Sequence, residues 1–207
     1  DSSTSRGLGD VYKRQIEGVI EKAIKALVNQ DVDLAQEVIR RDNQIDQQEK
    51  DIESLCFKLL LMEQPVATDL RQVSSALKMV TDMERIGDQA SDIAEIIGFL
   101  NGRIGTDAQY ICQMAVAAMR MVTESVEAYV KRDVAMAEAT IQHDDVVDDL
   151  FLKVKESLIQ MISENPKDGE YALDLLMIAK YFERIGDHAT NIAEWVVFSV
   201  TGVHEQV

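Results

Sequence analysis

The chain has 207 residues, 46% hydrophobic and 5% aromatic, with 37 acidic against 21 basic side chains and a formal charge of −16. This is the composition of a globular protein with one large domain or two small ones, not of a disordered acidic tail. The charge argues against a phosphate-backbone binder and a polybasic lipid anchor, which need clustered Lys and Arg, and favours cations and basic protein surfaces as partners. No run of about 18 apolar residues predicts a transmembrane helix, and no charged n-region followed by an apolar h-region reads as a signal peptide.

Residues 1–15, DSSTSRGLGDVYKRQ, hold two of the ten glycines, four hydroxyl residues and no helical apolar period. They read as a non-native or disordered leader outside the fold, so the first helix is expected to start at Ile16 and to be shortened. From there the apolar spacing is helical throughout, with no strand-like alternation. It predicts six helices at about 16–29, 33–62, 66–100, 107–131, 134–163 and 169–200. The breaks fall at Asn29-Gln30-Asp31, Gln64-Pro65, Asn101 to Gly105, Arg132-Asp133 and Asn165 to Gly169. Short loops between long helices make antiparallel neighbours. Cys56 and Cys112 stand apart in apolar helical contexts without C-x-x-C spacing, and read as buried reduced thiols of a cytosolic protein.

The chain repeats itself. ERIGDQASDIAE at 84–95 and ERIGDHATNIAE at 183–194 are identical at nine of twelve positions, offset by 99. The prolines repeat at an offset of 101, and Asp42 to Asp46 answers Asp144 to Asp148 at 102. The fold class that follows is all-α, two tandem antiparallel three-helix bundles related by internal duplication. The first repeat spans 16–104 and the second 105–207.

The repeated acids form pairs at i and i+4: Asp42/Asp46, Glu84/Asp88, Asp144/Asp148 and Glu183/Asp187. With 37 acids in the chain, chance alone gives roughly six or seven such pairs, so one pair means only a solvated helix face. Three arguments separate these four from that background. At 100° per residue each pair shares an angle with apolar positions: Val66, Leu70, Val73 and Leu77 for Glu84/Asp88; Ala35, Ile39, Phe57 and Leu60 for Asp42/Asp46; Ala137, Ile141, Ile159 and Ile162 for Asp144/Asp148. Within each hairpin the two pairs lie at nearly one level, about 30 Å from the turn, so each hairpin is expected to gather four carboxylates. Like charges at that spacing cost about 0.2–0.5 kcal/mol per pair, and far more when half-buried, so a positive charge is needed.

That charge is either Arg85, Arg184 and nearby lysines in an ion-pair network, or bound metal. Oxygen-only donors suit Mg, Ca, Mn or Fe better than structural zinc. His188 answers Gln89 and His143 answers Arg41, so histidine is not in the shared pattern. Gly87 and Gly186, each costing about 1 kcal/mol in a helix interior, predict a close helix approach beside each cluster.

ERIGDHATNIAE, the segment QPVATDLR at 64–71 and the helical duplication together resemble the PhoU family of phosphate-transport accessory and regulatory proteins, from about Ile16 to Val207. The resemblance implies a cytoplasmic protein of two three-helix bundles. It implies action with a phosphate ABC transporter, its ATPase subunit included, and a phosphate-sensing histidine kinase, repressing phosphate-starvation genes when phosphate is ample. It also implies metal at the E(D)xxxD motifs, here Asp42, Asp46, Glu84, Asp88, Asp144, Asp148, Glu183 and Asp187, with Fe, Mn, Mg and Zn as the choices, and a homodimer. A non-enzymatic regulator follows, since no nucleophile–base pair, phosphate-cradling loop or dinucleotide fingerprint is present. The alternative is a carboxylate-bridged di-metal redox or storage bundle, a class that uses Glu-x-x-His spacing.

Overall fold

Long runs of Leu, Ala, Glu, Gln and Met with i, i+3, i+4 apolar spacing leave the backbone one economical answer, and the computed structural model is helical along the residues it describes, 2–62, 67–103 and 108–203. The helices are α1 (Ser2–Asn29), α2 (Val32–Met62), α3 (Ala67–Ile97), α4 (Gln109–Lys131), α5 (Val134–Gln142), α6 (Asp144–Glu164) and α7 (Gly169–Thr201), with single 3₁₀ turns at Gly98–Leu100 and Pro166–Asp168. The expected breaks at Gln64-Pro65 and Ile104-Gly105, and the repeat boundary at 104/105, lie outside the described residues.

The duplication reaches the loops. Gln30 and Arg132 both take left-handed φ values, 52° and 56°, and both end their helix through the same bond, Asp31 N–H to Ala26 O and Asp133 N–H to Ala128 O, each 2.9 Å. The same two aspartates then cap the next helix, Asp31 accepting from Leu34 N–H and Asp133 from Met136 N–H at 3.0 Å.

Two expectations need correction. The first helix starts at Ser2, not Ile16, and Tyr12 is only 2% exposed. Once Ile16–Asn29 is docked, helix propagates upstream at one hydrogen bond per residue without a new nucleus. The helix expected at 134–163 is two, broken at His143, whose N–H bonds both Ala139 O and Thr140 O. The break starts α6 at Asp144-Asp145, where carboxylates sit favourably against the helix dipole. The matching stretch of α2 is continuous.

The two motif helices, α3 and α7, pack on each other along the centre; α1 and α2 flank α3, while α4, α5 and α6 flank α7. One apolar cluster runs through both repeats, from Ile16, Ile20 and Ile45 through Ile86 and Ile93 to Met121, Phe182 and Ile192. The two bundles therefore share a core. Among the described residues no helix is long and apolar enough to cross a membrane.

Candidate metal centre

Both clusters stand beside a close helix crossing centred on a glycine. In the first repeat Ile45, between Asp42 and Asp46 on α2, lies on Gly87. A Cβ there would come within 3.1 Å of Ile45 Cδ1 and 3.2 Å of its Cγ2. In the second repeat the crossing is Gly186, where a Cβ would meet Asp144 Oδ1 at 3.3 Å and Val147 Cγ1 at 3.6 Å. Ile45 and Val147 are equivalent positions, 102 apart, and both are buried. The close approach expected from the motif glycines is therefore present, and it brings α2 acids to α3 and α6 acids to α7.

In the first repeat Asp42, Asp46 and Asp88 each place a carboxylate oxygen so that all three lie within 4.8 Å of one another, the one such acidic group among the described residues. Glu84 belongs to the same field. Burial, then Asp88 and Glu49, pushes its carboxyl up to about 7. Burial together with Asp88 and Asp46 pushes Asp42 up to about 6. Glu49, three residues beyond Asp46, was not in the sequence pattern because the other repeat has no partner for it. Burial and Glu53 raise it as well.

In the second repeat the four acids also share one field, but more loosely. Asp144 is pushed up to about 6 by burial, then by Asp148, Asp187 and Glu183. Asp148 and Asp187 are both raised, mainly by desolvation and then by Glu183, although both are exposed.

The ion-pair alternative is met only in part. Arg85 bonds Asp88 Oδ2 at 3.2 Å and reaches Glu84 at 3.6 Å, while Lys180 pairs with Glu183. Arg184 leans over the Tyr181 ring, 5.9 Å from its centroid. Asp42, Asp46 and Asp144 each keep a buried Oδ1 with no hydrogen-bond partner. Unsatisfied buried carboxylate oxygens at matched positions, in an oxygen-only donor set, are what a hard divalent cation would fit.

The acids do not interrupt fully packed faces, as the angular argument expected. Phe57, Leu70 and Ile159, on the same stripes, are 54%, 47% and 56% exposed. The carboxylates mark the edge of each packed face, where solvent reaches one side.

His188 and Asn191, which distinguish the second motif, both reach Asp82 on α3. His188 Nδ1 lies 2.9 Å from Asp82 Oδ1, and Asn191 Nδ2 donates to the same oxygen at 3.1 Å. They tie α7 to α3.

Residues 12–97 and again 111–196 match the PhoU domain. The chain belongs to the PhoU family. It is 36% identical over 197 residues to a phosphate-specific transport system accessory protein PhoU homolog from Clostridium acetobutylicum, covering 94% of this chain and 88% of that one. To the Pseudomonas aeruginosa homolog it is 35% identical over 191 residues, 89% of this chain and 79% of that one. The crystal structure of PhoU from Pseudomonas aeruginosa superposes with a TM-score of 0.93 at 32% identity, covering 97% of each chain. PhoU from Streptococcus pneumoniae, described as a phosphate transport system regulatory protein, gives 0.87 at 25% identity over 100% of this chain and 96% of that one.

Proposed function

We propose that this chain is a non-enzymatic accessory regulator of phosphate uptake. It acts in the cytoplasm, as a homodimer, on the ATPase subunit of a phosphate ABC transporter and on a phosphate-sensing histidine kinase, holding starvation genes off when phosphate is ample. The observation that carries the reading is its alignment over nearly the whole chain with phosphate-transport accessory proteins.

The same reading gives the two clusters metal. Asp42, Asp46, Glu84 and Asp88 form one ligand set; Asp144, Asp148, Glu183 and Asp187 form the other. The orphaned Oδ1 atoms of Asp42, Asp46 and Asp144 support it, because an uncompensated half-buried carboxylate is costly. Fe, Mn, Mg or Zn would each supply the missing positive charge and cross-link two helices. The di-metal redox alternative lacks its Glu-x-x-His ligands in both repeats.

A strain lacking its own copy and carrying a phosphate-starvation reporter tests the regulatory part. Wild-type chain restores repression in high phosphate; replacing the acids of both clusters by Ala gives constitutive expression. Normal repression by that variant would sink the role given to the clusters. Metal content of protein purified without chelator tests occupancy directly.

A further inference from the structure

The hairpin of α6 and α7 carries apolar side chains on the side turned away from the core. The core takes Val147, Leu150, Val154 and Leu158 from α6 and Leu175, Ile178 and Phe182 from α7. Roughly opposite, Leu152 and Ile159 stand 56% and 56% exposed on α6, and Leu173 and Met177 stand 59% and 43% exposed on α7. Leu152 and Ile159 are seven residues apart, two turns on one side of α6; Leu173 and Met177 are one turn apart. Ile159 and Leu173 lie seven residues either side of Pro166, so the hairpin brings them level. Exposed apolar side chains grouped on one side of a hairpin offer a surface that a partner can bury.

Its surroundings are acidic. Residues 144–187 hold eleven Asp and Glu against five Lys and Arg, and Asp145, Asp148, Asp149, Glu156 and Glu170 are exposed. Lys155 sits between Leu152 and Ile159 on α6, and Lys180 is engaged with Glu183 and lies 5.5 Å from the Phe151 ring centroid. Asp145, Asp148 and Asp149 lie before Leu152, Glu156 lies between Leu152 and Ile159, and Glu170 lies before Leu173, so acids border and interrupt the apolar patch and outnumber the bases around it. We infer that this face docks an amphipathic helix of a partner protein, with apolar residues at i, i+3, i+4 and i+7 and Lys or Arg bordering them. A second copy would set acid against acid, and an anionic bilayer would be repelled. This gives the partner of the accessory reading a chemistry, and rests on that reading only in supposing that a partner exists.

The test uses the full chain and three labelled 18-residue peptides: a Leu/Lys amphipathic helix with Lys bordering its apolar side, a scramble of identical composition, and a twin with Glu replacing Lys. Fluorescence anisotropy is expected to show the amphipathic basic peptide binding at least tenfold more tightly than the other two. Ile159→Asp with Leu173→Asp should cut that binding at least tenfold, while Phe57→Asp on the first repeat leaves it unchanged. These side chains are exposed, so the variants keep their fold, checked by thermal melts. Equal binding of the scramble, no binding, or indifference to the paired variant overturns the inference. Concentration-dependent dimerisation abolished by the same variant would assign the face to a second copy and overturn it too. The starvation reporter fails independently of all these outcomes.

Discussion

The two repeats share sequence, caps and glycine crossings, yet their acid clusters are unlike. In the first, Asp42, Asp46 and Asp88 converge within 4.8 Å, half-buried. In the second, Asp148 and Asp187 are exposed and Glu183 is held by Lys180. The second motif looks fuller in sequence, with His188 and Asn191, but those residues serve the contact with Asp82 on α3. Completeness of the motif tracks the seam between repeats, while readiness of the site follows helix continuity. α2 runs unbroken through Asp42, whereas α6 begins at Asp144. The difference predicts that the first site is the tighter.

The largest expected effect is therefore on metal-dependent stability. A ligand at about one hundred times its dissociation constant stabilises by about 2.7 kcal/mol per site. Asp42→Asn with Asp88→Asn is expected to remove most of the melting-temperature rise that Mn2+ or Mg2+ produces, and Asp144→Asn with Asp187→Asn clearly less. Equal losses would break the ranking of the sites. Both variants should melt higher than wild type in chelator, because each relieves like-charge repulsion.

Next comes the crossing. Gly87→Val must displace Ile45, a stiff β-branched core side chain 1% exposed, and is expected to cost about 1–3 kcal/mol in urea unfolding. Gly186→Ala meets the edge of a carboxylate instead, and Ala favours helix by about 1 kcal/mol over Gly. Its stability should change little while metal binding at the second site weakens. A Gly186→Ala protein that unfolds as readily as Gly87→Val would show the crossings to be mechanically alike.

The helices, their order, the duplication and the crossings were legible in the sequence because apolar period, turn residues and a repeat of near 100 residues all point one way. The site was legible as eight acids but not as two unequal groups. Period alone places Asp42 and Asp144 identically. The one-residue break at His143 has no counterpart in α2, so no repeat comparison reveals it. The angular stripes misled for a related reason. Phe57 and Ile159 share the acids' angle yet stand 54% and 56% exposed, so that stripe runs off the packed face rather than along it. Glu49 was missed because it has no counterpart to repeat against. His188 could have been placed only by knowing that α3 and α7 cross beside Asp82.

A smaller effect separates the clusters by pH. Asp42 and Asp144 rise from 3.8 to about 6 and Glu84 from 4.5 to about 7 in the folded protein, chiefly by burial. Between the ordinary and raised values the folded chain holds protons that the unfolded chain has released. Their contribution to stability is then full below about pH 4 and is lost as pH climbs through 6 to 7. Metal-free protein should accordingly melt higher at pH 5 than at pH 8. Asp42→Asn with Glu84→Gln should flatten that slope more than Asp144→Asn does. A slope of the opposite sign in chelator would mean that the clusters are already neutralised by Arg85 and Lys180.

The smallest effect asks whether His188 belongs to a site or to the seam. His188→Gln restores the residue found at Gln89 in the first repeat. It removes a half-buried contact to Asp82, which accepts from Asn191 as well, so one bond to that carboxylate remains. A single charge-assisted hydrogen bond of this kind contributes about 1–2 kcal/mol at most when partly solvated. Urea unfolding should register a loss of that order, and Asn191→Asp should add to it by setting a second carboxylate against Asp82. Mn2+ affinity at the second site should not move, because His188 Nδ1 and Asn191 Nδ2 are both engaged with Asp82. If His188→Gln instead lowers affinity tenfold with stability unchanged, the ring is a ligand. The fuller second motif would then describe the better site after all.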